Sequence, residues 1–181
     1  DDFYSVVEAV GTNGIPFYTD WIGYEPSRLR QIVARMEGKV QQGLHIKWHP
    51  NAKYYRAMGS VPALCRLAER ADVAIPQLIR YATNFTAKPM IAYTLQTQPK
   101  IMFSIVGRMG PRAGPAFTAL LNNSDARIRL LAIENCEYFL ENKSVVAEIF
   151  KVQNDQDPKV REAAASAIQE HNLTIGTADV R

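Results

Sequence analysis

The chain holds only two cysteines, three histidines and two tryptophans in 181 residues, and each scarcity removes a class of function. Cys65 and Cys136 are too few for the disulfide framework that stabilises small secreted domains. Both lie inside apolar helical patterns, four residues after Val61 and Ala132. That position predicts buried free thiols, whose apolar surroundings raise their pKa and make them inert. No run approaches the ~20 apolar residues that cross a bilayer, because Pro, Gly, Gln or Asn interrupts the longest uncharged stretches; no membrane insertion is expected. The chain opens on Asp1-Asp2-Phe3, with no basic segment leading into an apolar one, so a targeting peptide is expected to have been removed or never to have existed. This leans towards a cytoplasmic chain and leaves a processed extracytoplasmic form open.

The lack of histidine bears on catalysis. His45, His49 and His171 are the only imidazoles, and no Gly-x-Ser-x-Gly turn occurs, so no nucleophile, base and orienting carboxylate assemble from the sequence. His45 and His49 stand four apart, which on a helix would let them share a zinc ion. Residues 44–49, however, alternate apolar and polar as a strand does, and four strand residues span ~13 Å against metal–nitrogen bonds of ~2 Å. Gly107, Gly110 and Gly114 make a glycine-rich stretch, but no strand precedes it and no Gly-Lys-Ser/Thr follows; Gly110 before Pro111 reads as a helix stop. Glu134, Glu137 and Glu141 read as a solvated helix face. No catalytic residue, metal or cofactor is expected, and the chain reads as a non-enzyme.

What is present is a division of charge. Residues 1–25 carry five acids and no Lys or Arg; residues 26–112 carry fourteen Lys and Arg against Glu37, Glu69 and Asp72; residues 113–181 carry seven against ten. The net +3 therefore hides a basic middle flanked by acidic ends. Such a block attracts a polyanion or is neutralised by the acidic N-terminal segment packing on it.

An internal repeat dominates the second half. Gln98-Pro99-Lys100-Ile101-Met102, Asp125-Ala126-Arg127-Ile128-Arg129 and Asp157-Pro158-Lys159-Val160-Arg161 align. Each starts a helix in one way: Asp125 and Asp157 supply caps, Pro99 and Pro158 suit a first turn, and Ile101, Ile128 and Val160 open an apolar stripe. The stripe runs on through Leu131, Ala132, Asn135, Cys136 and Phe139, and again through Ala163, Ala164, Ala167 and Ile168. Shorter helices are predicted between these starts, over Pro115 to Leu121 and Ser144 to Gln153. Residues 106–111, 116–121 and 125–129, with the related line 157–165, resemble the short HEAT repeats of the phycobilisome-lyase type, clearly so over residues 95–171. Upstream, Val61-Pro62-Ala63-Leu64 and Ile75-Pro76-Gln77-Leu78 suggest hairpins at 61–84 and 88–109. The resemblance implies an all-α fold, a right-handed α-solenoid of stacked helical hairpins over residues 59–171 with a tail at 172–181.

Residues 1–58 depart from the repeat and are expected to cap it, since the first repeat of such an array needs cover. The cap holds one amphipathic helix, residues 26–42, with Leu29, Ile32, Val33, Met36 and Val40 on one face. It also holds an extended segment at 44–49, and a second short extended piece is expected at Ile15-Pro16-Phe17-Tyr18.

Two binding surfaces follow. The longer repeat helices carry a second apolar line, Met102, Phe103 and Val106, then Leu130, Ile133 and Tyr138. Lining a concave face and rimmed by Arg108, Arg129 and Arg161, these make a groove for a protein or peptide, and a protein-binding scaffold is the favoured reading. For Arg129 and Arg161 the structural reading, pairing with Asp125 or Asp157 of an adjacent repeat, is favoured over a place on the rim. The second surface is Trp48, Lys53, Tyr54, Tyr55, Arg56, Arg66 and Arg70, within the basic region 45–112, where rings that stack bases alternate with cations that neutralise phosphate. The nucleic-acid reading built on it is the alternative. A chromophore lyase role is what the family resemblance alone implies. Partner identity and oligomeric state stay open.

Overall fold

The computed structural model describes residues 3–25, 27, 52–86 and 98–174. The expected helix over 26–42, the extended segment at 44–49 with His45, Trp48 and His49, and the start of the 88–109 hairpin lie outside the described residues. Every described element is helical, as expected of an all-α chain. The chain divides into two compact units, residues 1–67 with 84–98, and residues 68–83 with 99–181.

In the first unit, α1 (Phe3–Val10) and α2 (Ile15–Ile22) both pack on α3 (Ala52–Leu67). The extended piece expected at residues 15–18 is instead the start of α2. Pro16 sits in the first turn, where its missing N–H costs nothing, and Ile15, Tyr18, Thr19 and Ile22 recur at helical spacing as its buried face. Helix α3 crosses the expected cap boundary at 58/59 and begins nine residues before Val61, with Pro62 inside it. Its buried stripe, Ala57, Ser60, Leu64 and Leu67, continues through the proline. The sequence hid that stripe because Ala57 and Ser60 are barely apolar. Ser60 is tolerated there because its Oγ donates to the Arg56 carbonyl at 2.7 Å.

The second unit begins with a 3₁₀ turn, residues 68–74, and α4 (Ile75–Thr83). Then come α5 (Gln98–Gly107), α6 (Ala113–Leu121), α7 (Ala126–Ile133), α8 (Lys143–Val152) and α9 (Pro158–Glu170). Helix α6 packs on α7 and α8, and α9 packs on α7 and α8. Two antiparallel hairpins, α6–α7 and α8–α9, thus lie side by side, first helix on first and second on second. The predicted caps hold: Asp125 accepts from the Arg127 amide at 2.9 Å, and Asp157 from those of Lys159 and Val160. Asn142 does the same for α8. Three rings fill the centre, with Phe117 stacked on Phe139 at 3.9 Å and Phe103 edge-on to both.

Two details shape this unit. The stripe expected as one helix from Ile128 to Phe139 breaks after Ile133 and resumes as a 3₁₀ turn, Cys136–Phe139. At the break, Asn135 is buried and its Nδ2 donates to the Leu131 carbonyl at 2.8 Å, the local bond by which Asn competes with helix continuation. Gly110 has φ +73°, the left-handed conformation a helix stop needs. Gly107 is required for a different reason: a Cβ there would lie 2.6 Å from the Tyr138 carbonyl oxygen, so only glycine lets α5 approach the 136–139 turn.

Candidate functional site

The apolar groove expected on the longer helices is not a groove. Met102, Phe103, Val106 and Ile133 are 0–2% exposed, so they form core and cannot line an open surface. Leu130 and Tyr138 are half-buried. The physical reason is legible in α5, where Ile101, Met102, Phe103, Ile105 and Val106 surround the axis and only Lys100 and Ser104 interrupt them. A helix apolar all round is a buried helix, not an amphipathic one with a face to spare.

The arginines part company. Arg129 is 14% exposed and holds Asp155 through two bonds of 2.7 Å, Nε to one carboxylate oxygen and Nη2 to the other. Its structural partner is therefore the loop aspartate of the next hairpin, two residues before the Asp157 expected. The guanidinium beside it holds the Asp155 carboxyl below its ordinary range, against the opposing effect of burial. Arg108 and Arg161 remain exposed.

Three cations of the nucleic-acid set are occupied within the first unit. Lys53 lies over the Tyr24 ring at 5.5 Å, Arg56 over the Trp21 ring at 5.4 Å, and Arg66 binds Glu8 at 2.8 Å. These are cation–π and ion-pair contacts that phosphate would have to displace. Tyr55 is 57% exposed and Arg70 is exposed. The Tyr54 side chain and Trp48 lie outside the described residues.

An open furrow of about 380 Å³ does exist on the second-helix side of the hairpins, but with a polar lining. Lys100 at the start of α5, Glu134 and Glu137 beside the break after α7, and Ser166, Glu170 and His171 along α9 surround it. Ile133, Cys136 and Ala167 form its apolar floor. Lys100 bridges to Glu137 at 3.1 Å. That hydrogen bond, with a second from Tyr138, holds the Glu137 carboxyl low and in turn raises Lys100. Burial pushes the Cys136 thiol up to about 11, so it is a neutral floor group rather than a nucleophile. Cys65, expected to be equally buried, is only half-buried. Glu134 and Glu137 were legible only as a solvated face. Lys100 was legible only as part of a helix start, and Ser166 and Glu170 carry no motif; as rim residues they would have emerged only from aligning the outward positions of successive second helices.

A second cavity, about 430 Å³, is lined by Gly107, Gly110 and Gly114 with Tyr138 and Asn142. The glycine-rich stretch does shape a cavity, but Glu69 and Glu141 also line it, and carboxylates repel phosphate. Among the described residues no group of three or more His, Cys, Asp or Glu is placed to hold a metal, and no helix is long and apolar enough to cross a membrane. Compared with protein-family models, curated proteins and solved structures, the chain matches none.

Proposed function

We propose that this chain is a non-catalytic protein-binding scaffold whose second unit is a short α-solenoid of HEAT-like hairpins, and that it takes a basic segment of its partner in the furrow between the 134–137 region and α9. The observation that carries this reading is the furrow itself: successive second helices contribute to one open, polar-rimmed surface over an apolar floor. Its rim holds three carboxylates, Glu134, Glu137 and Glu170, against Lys100 and His171, so electrostatic complementarity favours a cationic segment. The binding surface thus moves from the buried apolar line to the polar positions beside it. The neutral thiol of Cys136 and the intramolecular occupation of Lys53, Arg56 and Arg66 weigh for this over a catalytic or nucleic-acid role.

The test is affinity capture from the native host with the unaltered chain and with Glu134→Lys/Glu170→Lys. Both positions are exposed, so folding should survive and circular dichroism will verify it. The double reversal is expected to lose the principal captured protein by tenfold or more. An unchanged captured set sinks the furrow assignment.

A further inference from the structure

The two hairpins of the second unit are related by an offset of 32 residues, and their polar bonds repeat with it. Arg129 Nη1 donates to the carbonyls of Asn123 and Ser124, at 2.7 and 3.2 Å; Arg161 Nη1 donates to those of Asp155 and Gln156, at 2.7 and 3.1 Å. The Asp125 amide donates to the Asn123 side chain at 2.9 Å, and the Asp157 amide to that of Asp155 at 2.8 Å. Both guanidinium groups are thus held by their own loop carbonyls, leaving the Nε/Nη2 edge directed to other partners. In Arg129 that edge grips the Asp155 carboxylate of the adjoining hairpin. In Arg161 it carries no hydrogen bond among the described residues.

At three of four positions in register, the side chains of α8 and α9 are less buried than their counterparts before them in the chain. Buried Gly114 of α6, which packs on the Asn142 cap of α8, corresponds to half-buried Val146. Half-buried Thr118 corresponds to half-buried Phe150, a far larger apolar group. Buried Ile133 and Cys136, which face α9 across the furrow floor, correspond to exposed Ala165 and half-buried Ile168. Helices α8 and α9 therefore present a face equivalent to the one α6 and α7 use to receive a hairpin, complete with its carboxylate receptor.

We propose that this face, Val146, Phe150, Ala165 and Ile168 framed by Arg161, docks a helical hairpin of a partner protein whose inter-helix loop offers a carboxylate, seated as α8–α9 is seated on α6–α7. Charge complementarity names the occupant. A planar guanidinium fixed by two carbonyls is a bidentate carboxylate receptor, and the Arg129–Asp155 pair shows its mate in the same surroundings. The surface is separate from the furrow, so the two assignments fail independently.

The chain's own hairpin serves as the tethered probe: residues 142–173 are duplicated in tandem after Leu173, which places the copy's Asp155 at the required offset from Arg161. The copy is expected to dock, with amide protection in its two helices. Arg161→Ala is then expected to raise the unfolding equilibrium constant at least tenfold more in the extended chain than in the original, where it removes only the two loop-carbonyl bonds. An unprotected copy, or an Arg161→Ala effect equal in both chains, overturns the proposal. Sedimentation of the original chain supplies the remaining arm: a self-association dispersed by Arg161→Ala would mean that a second copy is the occupant, and would overturn the assignment to a partner protein.

Discussion

The two units solve the same problem, holding short helices together, by different means. The second buries three stacked and edge-on phenyl rings and closes the starts of α7, α8 and α9 with Asp125, Asn142 and Asp157, while α6 has no side-chain cap. The first has no side-chain cap at the start of α2. It leaves Phe3, Tyr4, Val6, Val10, Phe17 and Tyr55 exposed, with cations laid over Trp21 and Tyr24. Apolar residues are therefore worth different amounts in the two units. In the second most are committed to a core, with Val73 and the α8–α9 face as exceptions; in the first several lie at the surface and contribute little to stability. In the furrow of the second unit, function must accordingly be sought among its polar positions.

The strongest way to break this contrast is to remove Phe117, fully buried between two other rings. Phe117→Ala should destabilise the second unit by about 3–5 kcal/mol, the transfer loss plus the cavity left behind. Urea unfolding followed by amide exchange would read it. A cost below about 1 kcal/mol would show that the ring cluster is loosely packed.

Next in size is the Arg129–Asp155 pair. Removing one member of a mostly buried pair strands the other, so Arg129→Ala should cost about 3 kcal/mol near pH 7, enlarged by the loss of its bonds to the Asn123 and Ser124 carbonyls. The pH dependence sharpens the point. The Asp155 carboxyl is held below its unfolded value of about 3.9, so its contribution is fully present above that value and is lost as pH falls through the lower folded one. The difference between the original chain and Arg129→Ala should shrink below about pH 4. A difference independent of pH across that range would mean that the carbonyl bonds, not the carboxylate, carry the effect.

How much of this was legible beforehand follows from where the signal was local. Asp125 and Asp157 announce helix starts by chemistry that acts within three residues, and Gly110-Pro111 announces a stop; all three hold. Helix α3 escaped because its stripe passes through Ala57 and Ser60, which periodicity hardly registers. The start of α2 was read as extended because Pro16 suits either an extended segment or a first helical turn, and only packing on α3 decides. The furrow was illegible for a deeper reason. Its rim comes from residues 100, 134–137 and 166–171, none of which forms a motif alone, and the groove read in its place used apolar residues that tertiary packing had claimed. Of the two readings of Arg129, the paired one holds, but the mates it offered, Asp125 and Asp157, miss Asp155, which only the placement of the opposite loop identifies.

The smallest expected effect tests the other half of the contrast. Phe17 on α2 is 60% exposed, its ring tilted against Trp21 at 6.0 Å, so water already covers most of the surface that burial would otherwise remove from it. Phe17→Ser should change stability by no more than about 0.5 kcal/mol, since the remaining ring contact is partial and helix propensities of Phe and Ser are similar. The same substitution at Phe117 would bury a hydroxyl in a ring cluster and cost several-fold more, which makes the pair a direct measure of how the two units use one residue type. Denaturant midpoints of both variants, measured side by side, give the ratio. If Phe17→Ser costs as much as 2 kcal/mol, the aromatic surface of the first unit is packed rather than displayed, and the distinction drawn between the units fails.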